Sequence, residues 1–176
     1  MKVIVHNIFL SLGSNEGDRL GMLRQACELI GEEVGTILKQ SSIYETESWG
    51  MEGTEPFLNQ VIQVTTMLPP LELLSVLLKI ERKLGRIRDT RSTSHVSRLT
   101  SYVSRSIDLD ILFYGSEIVD SPALTIPHPH ILERRFVLVP LAEIAGEFVH
   151  PKLGKSIDQL LDECGDKGEV RVFFTK

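Results

Sequence analysis

Apolar positions along the chain change their period in a way that lays out its elements. From Val3 to Leu12, β-branched and apolar residues follow one another and stop at Gly13-Ser14-Asn15, the pattern of a strand running into a turn. Leu20, Leu23, Cys27 and Ile30 then recur at helical spacing, with Asp18 placed to cap the helix and Gly31 near its end. Two strand-like segments follow, Thr36 to Thr46 and Phe57 to Thr66. Their nearness in sequence suggests an antiparallel pair, although the connection from Glu47 to Pro56 is too long for a tight hairpin. Pro69-Pro70 opens a second helix through Leu84, closed by Gly85, with Leu73, Leu74, Leu77, Ile80 and Leu84 as its stripe. Ile107 to Tyr114 is apolar or aromatic at every position except Asp108 and Asp110, which predicts a strand buried on at least one side. Ile118 to Ile126 reads as an edge segment, and Ile131 to Arg135 and Phe136 to Ile144 as short helices. The tail offers a helix at Ile157 to Cys164 and a strand at Val170 to Phe174. Strand, helix, strand, strand, helix, strand is the split order of a ferredoxin-like α+β fold, βαββαβ. That order predicts an antiparallel sheet with the helices on one face, the other face left for a site, and here a C-terminal extension.

Composition narrows the class. The 176 residues, 42% hydrophobic and 24% charged, suit a single globular domain over 1–176. No run approaches the roughly 18 apolar residues of a membrane span, and Met1 to Asn7 lead into a strand without a cleavage pattern, so a cytoplasmic protein is expected. Cys27 and Cys164 are isolated and read as packing residues. A net charge of −5 and a pI near 5.6 argue against a general nucleic-acid binder. The charge is uneven, however. Between Gly85 and Arg105 stand Arg86, Arg88, Arg91, Arg98 and Arg105 against the single acid Asp89.

Strand alternation puts Asp108 and Asp110 on one face, roughly 6.5–7 Å apart, and Ile107, Leu109 and Ile111 on the other. Two like charges side by side in a core strand cost several kcal/mol unless something positive sits between them. Arginines such as Arg105 could supply it in a structural ladder, or a metal ion could. Mg²⁺ is held by one or two carboxylates plus water and substrate phosphates, which suits this pair. The neighbouring segment tips the balance towards the ion. About twenty residues rich in Ser, Thr and Arg, without periodicity, read as a lid or binding loop. Guanidinium groups there would grip a polyphosphate through bidentate hydrogen bonds. Glu81, at the edge of the second helix's stripe, either orients Arg86 and Arg88 or is a surface side chain. His128 and His130 could ligate a metal, but a hard ion leaves them hydrogen bonding to phosphate or a structural role. Trp49, on the long connection, is placed to face a partner or ligand. Asn59, two residues beyond Phe57 on the same strand face, offers an amide beside a ring to a flat heterocycle, or is sheet decoration. Gly13 to Gly17 lacks the features of a phosphate loop.

Taken in order, Leu10-Ser11-Leu12-Gly13-Ser14-Asn15, Tyr44-Glu45-Thr46, Phe57-Leu58-Asn59, Ile80-Glu81-Arg82-Lys83-Leu84-Gly85-Arg86, Arg105-Ser106-Ile107-Asp108-Leu109-Asp110, Pro127-His128-Pro129-His130 and Arg134-Arg135-Phe136 carry a resemblance. The chain resembles the 6-hydroxymethyl-7,8-dihydropterin pyrophosphokinases of folate biosynthesis. That resemblance implies transfer of the β,γ-pyrophosphoryl group of ATP to the pterin's hydroxymethyl oxygen, with release of AMP. It implies two Mg²⁺ on Asp108 and Asp110, with Arg86 and Arg105 joining these aspartates in catalysis. Arg86, Arg105, His128 and Arg134 match positions at the nucleotide or its phosphates, with Glu81 and Ile107 near the nucleotide. The pterin would stack between Phe57 and Phe136, its polar edge met by Asn59, Thr46 and the loop around Trp49. Tyr102 stands where the family often has a loop tryptophan. Val103-Ser104 replaces a common Gly-Pro, and the loop from Arg86 to Arg105 is longer than usual. Small-molecule partners, a monomer, no nucleic acid and no membrane are expected. Two rival readings are another Mg²⁺-dependent nucleotidyl or phosphohydrolase enzyme and a non-catalytic nucleotide- or RNA-binding module. Net acidity and the paired carboxylates weigh against the second.

Overall fold

The computed structural model describes residues 4–47, 55–85 and 106–174. Trp49, Arg86, Tyr102, Arg105 and the rest of the arginine-rich stretch lie outside the described residues. The architecture is mixed α/β around an antiparallel sheet. Its spine is β1 (His6–Ser14), flanked on one side by β4 (Phe57–Thr66) and on the other by β5 (Asp108–Tyr114). β2 (Gly35–Gln40) and β3 (Tyr44–Thr46) both pair with β4, and β8 (Val170–Val172) adds to β3. Along its longest path the sheet reads β5-β1-β4-β3-β8. The single strand signal from Thr36 to Thr46 is therefore two strands. Ser41, between them, still pairs with Val61 through its backbone N–H and through its hydroxyl.

Helices α1 (Arg19–Glu33) and α2 (Pro70–Lys83) cover one face. Ile8, Leu10, Leu12, Leu58, Ile62 and Val64 meet Leu23, Ile30, Leu73, Leu77 and Ile80 there, all within the buried core. Each such side chain contributes about 1.5–3 kcal/mol of burial. Asp18 caps α1 as its side chain accepts from Gly21 N at 2.9 Å. The helix runs past Gly31 to Glu33, and the turn into β2 falls at Gly35. At φ +155° there, a Cβ would come within 1.9 Å of the Thr65 carbonyl oxygen, so only glycine fits.

The expectation that the second face is left open needs correction. Helices α3 (Arg135–Ala145) and α4 (Ile157–Glu163) of the C-terminal part cover much of it, closing on Phe9, Val61, Leu112 and Phe113. Ile118 to Ile126 is not an edge of this sheet either. It folds on itself as β6 (Val119–Asp120) and β7 (Thr125–Ile126). Cys27, largely buried, has its thiol pushed up to about 11 by burial and then by Glu28, which agrees with a packing role. Among the described residues, no helix is long and apolar enough to cross a membrane.

Candidate functional site

β5 carries the site because a bulge divides it. Its register with β1 shifts between Phe9 and Leu10, where Phe9 faces Phe113 but Leu10 faces Ile111, so Leu112 is the extra residue. Beyond the bulge, Leu112 and Phe113 both enter the cluster under α3 and α4. Before it, alternation is intact: Leu109 and Ile111 join the α1–α2 core, while Asp108 and Asp110 are half-buried. The bulged carbonyl of Leu112 accepts from His128 N at 3.0 Å, which brings the Pro127-to-Arg134 segment against the carboxylates.

Pairing registers then lay the site out in rows. Asp108, Gly13, Asn59 and Tyr44 lie side by side across β5, β1, β4 and β3, and Asp110 faces Ser11 in the next row. Gly13 holds the middle of the first row. A Cβ there would stand 3.3 Å from Asn59 Oδ1 and 3.9 Å from the Phe57 ring, so glycine puts no side chain between the carboxylates and the amide. Asn59 and Thr46 are both buried, and Asn59 Nδ2 donates to Thr46 Oγ1 at 2.8 Å. Phe57 pairs with Thr46, and Phe136 stands in the first turn of α3, the helix packed over this face. Asn59, Thr46 and Phe57 are thereby brought together.

On the acidic side, Arg134 Nη1 lies 3.5 Å and His128 Nε2 3.8 Å from Asp110 Oδ2. With Arg134 29% and Asp110 36% exposed, this ion pair contributes no more than about 1 kcal/mol, so an incoming anion can recruit the guanidinium. Arg134 also sits over the Phe136 ring, 5.9 Å from its centroid. His128 is 17% exposed, and burial, then the Arg134 charge and then His130 bring its pKa down to about 4 against the pull of Asp108. It is therefore neutral at pH 7. His130 N donates to His128 Nδ1 at 3.3 Å, so the ring's proton belongs on Nε2, the atom facing Asp110. His130 itself is exposed and meets Glu133 at 3.3 Å.

Two residues expected near the nucleotide have buried side chains. Ile107, expected near the nucleotide, is fully buried in the α1–α2 core, because alternation turns it away from the aspartates. Glu81 is not a surface side chain: it is 1% exposed, and its Oε1 accepts from Leu109 N at 2.9 Å. The apolar stripe of α2 gave no sign that a carboxylate at its edge turns inward to a strand. Gly13 was missed as a site residue, although a glycine inside a strand is itself a mark of close approach.

The donor set decides which ions fit. Among the described residues, no three or more His, Cys, Asp or Glu are grouped to cage a metal. Two half-buried carboxylates on one strand face fit a hard ion that keeps open positions for water and phosphate. A carboxylate pair, a guanidinium and a neutral imidazole at one end of this row, with an amide and an aromatic ring at the other, form an arrangement that can bring an anionic group to a planar acceptor, the work of a group-transfer enzyme.

Comparison with known proteins makes the class specific. The family model for 7,8-dihydro-6-hydroxymethylpterin-pyrophosphokinase matches residues 9–146, and the chain belongs to this family. The 2-amino-4-hydroxy-6-hydroxymethyldihydropteridine pyrophosphokinase of Porphyromonas gingivalis is 42% identical over 82% of this chain and 94% of its own length. The Bacillus subtilis protein of the same name is 40% identical over 86% and 85%. A folic acid synthesis protein of Pneumocystis carinii is 39% identical over 90% of this chain, which spans only 20% of that longer relative. In fold, the chain resembles a Plasmodium falciparum HPPK-DHPS crystal structure with a TM-score of 0.71 at 16% identity, covering 93% of this chain and 43% of that one.

Proposed function

We propose that the row of residues from β5 to β3 is where this chain transfers the pyrophosphoryl group of ATP to 6-hydroxymethyl-7,8-dihydropterin, giving AMP and the pterin diphosphate. The family's reaction in folate synthesis is this chain's reaction, and the chain is an ATP-dependent diphosphotransferase. The observation that carries the assignment to these residues is the row Asp108–Gly13–Asn59, which joins the acidic end to the amide end without an intervening side chain.

In this reading Asp108 and Asp110 hold two Mg²⁺, which when bound neutralise phosphate charge and polarise the phosphoryl group. Arg134 leaves its weak pair with Asp110 to take a phosphate oxygen, and His128 donates from Nε2 to another. Phe57 and Phe136 flank the pterin ring, Asn59 and Thr46 meet its polar edge, and Trp49 approaches from the connection before β4. Arg86 and Arg105 complete the charge neutralisation. Such transfers depend mainly on positioning and charge, which is why the site needs no strong general base. The sheet order is read as a ferredoxin-like core, with β2 and β3 sharing one strand position and the C-terminal helices as an extension. The protein acts as a cytoplasmic monomer of one domain on small molecules, without nucleic acid.

The test is product analysis. Incubated with ATP, Mg²⁺ and the reduced hydroxymethylpterin, the protein is expected to form AMP only when the pterin is present. ADP as product, or AMP independent of pterin, would remove the proposal.

A further inference from the structure

Glu81 is a buried carboxyl group to which the scheme above assigns no step. Among the described residues it is the only carboxylate of the buried interior, set on α2 beside the packed residues Leu77 and Ile80. Its Oε1 accepts from Leu109 N, the N–H of the peptide that joins Asp108 to Leu109. Among the described residues β5 is the outermost strand of the sheet at this end. Its inner edge is fixed by β1, through Gly13 opposite Asp108 and Ser11 opposite Asp110. Its outer edge is held by Glu81 midway between the aspartates. Two further anchors bracket that point. Ser14 Oγ donates to the Ser106 carbonyl before the strand, and His128 N donates to the Leu112 carbonyl at the bulge.

We propose that Glu81 is a positioning residue that sets the aim of the Asp108 and Asp110 carboxylates for a divalent cation bound with a nucleoside triphosphate. The inference rests on the cation role given to the aspartates above. An edge strand lacks a neighbour to hold its peptides in plane, and ion ligation demands that two carboxylates be held within about 0.5 Å of their working geometry. Because the acceptor belongs to a helix locked into the core, the packing of α2 dictates the placement of groups that face the opposite side of the sheet.

Binding of Mn²⁺, read by electron paramagnetic resonance with the non-transferable analogue α,β-methylene-ATP, tests this without turnover. Glu81→Leu is expected to weaken Mn²⁺ binding at least about tenfold while pterin affinity changes less than about twofold and unfolding stays one cooperative transition. Glu81→Gln, whose amide oxygen can still accept from Leu109, is expected to restore Mn²⁺ affinity to within about threefold. A folded Glu81→Leu protein within twofold of the starting affinity overturns the inference, as does a Glu81→Gln protein weakened more than tenfold. A starting protein that binds no Mn²⁺ beyond that held by the free analogue removes the cation role itself, and the inference falls with it.

Discussion

The two faces of the sheet are made from the same strands and answer different demands. Under α1 and α2, Ile8, Leu10, Leu12, Leu109 and Ile111 form a continuous apolar surface that any tight packing would satisfy. On the other face only part is apolar, from Phe9 and Val61 to Leu112 and Phe113. The remainder includes Ser11, Gly13, Thr46, Asn59, Asp108 and Asp110 beside the Phe57 ring. The first face holds the fold together. The second gives up some of that stabilisation to keep polar groups at hand, and the bulge at Leu112 marks the border between them.

If the faces divide their work in this way, substitutions should separate activity from stability. The largest effect is expected on the polar face. Asp108→Ala and Asp110→Ala should each lower kcat/KM by at least about 10²-fold, while the urea midpoint holds or rises as a like-charge neighbour is removed. Steady-state rates and an unfolding curve on the same preparations check this, and near wild-type rates would return the aspartates to a structural ladder. On the covered face, Leu77→Ala should cost about 2–5 kcal/mol of unfolding free energy by cavity formation, with kcat/KM per folded molecule little changed.

Acid should act through the polar face. His128 titrates at about 4 in the fold against an ordinary 6.5, so the unfolded chain binds its proton first. Stability from this group is therefore complete above about pH 6.5 and is lost as the pH falls towards 4, by at most about 3 kcal/mol. Burial lowers the pKa of His150 in the same sense, so His128→Gln should flatten the acid limb of a stability–pH curve without abolishing it. The smallest effect is expected where the faces meet at α3. The Tyr44 hydroxyl donates to Glu143 at 2.9 Å, and its pKa is pushed up to about 12 by burial and then by that carboxylate. Tyr44→Phe should cost about 1 kcal/mol, read as a small shift in thermal midpoint.

The same division explains what could be read from the residues alone. Period-3.6 stripes on α1 and α2 and the apolar runs of β4 and β5 report burial against one partner, so those elements emerge close to their observed limits, whereas β1 starts at His6 and runs on through Gly13 and Ser14, where a turn is expected from the sequence. The break between β2 and β3 depends on Ser41 and Ser42, whose pairing with Val61 and Glu143 is tertiary. The separate β6–β7 pair and the covering of the second face by α3 and α4 depend on long-range packing that no local period encodes. At the site, the aspartates stand out in the sequence as carboxylates in a core strand and Asn59 as an amide beside Phe57, whereas Arg134 follows only from the family resemblance. The burial of Ile107 and that of Glu81 have different origins. Alternation alone turns Ile107 inward, whereas only the fold reveals that Leu109 N waits for the Glu81 carboxylate.

The glycine at the middle of the site row has a metric consequence. Neighbouring strands lie about 4.8 Å apart, so Asp108 and Asn59, separated only by Gly13, are held about 10 Å from one another by the hydrogen-bonded sheet itself. On the assignment proposed above, the sheet works as a calliper, gauging the span between an anion's charge and an acceptor's ring in whole strand widths. A substrate longer or shorter by one chemical unit meets a frame that cannot stretch to it without breaking the ladder that holds the protein together.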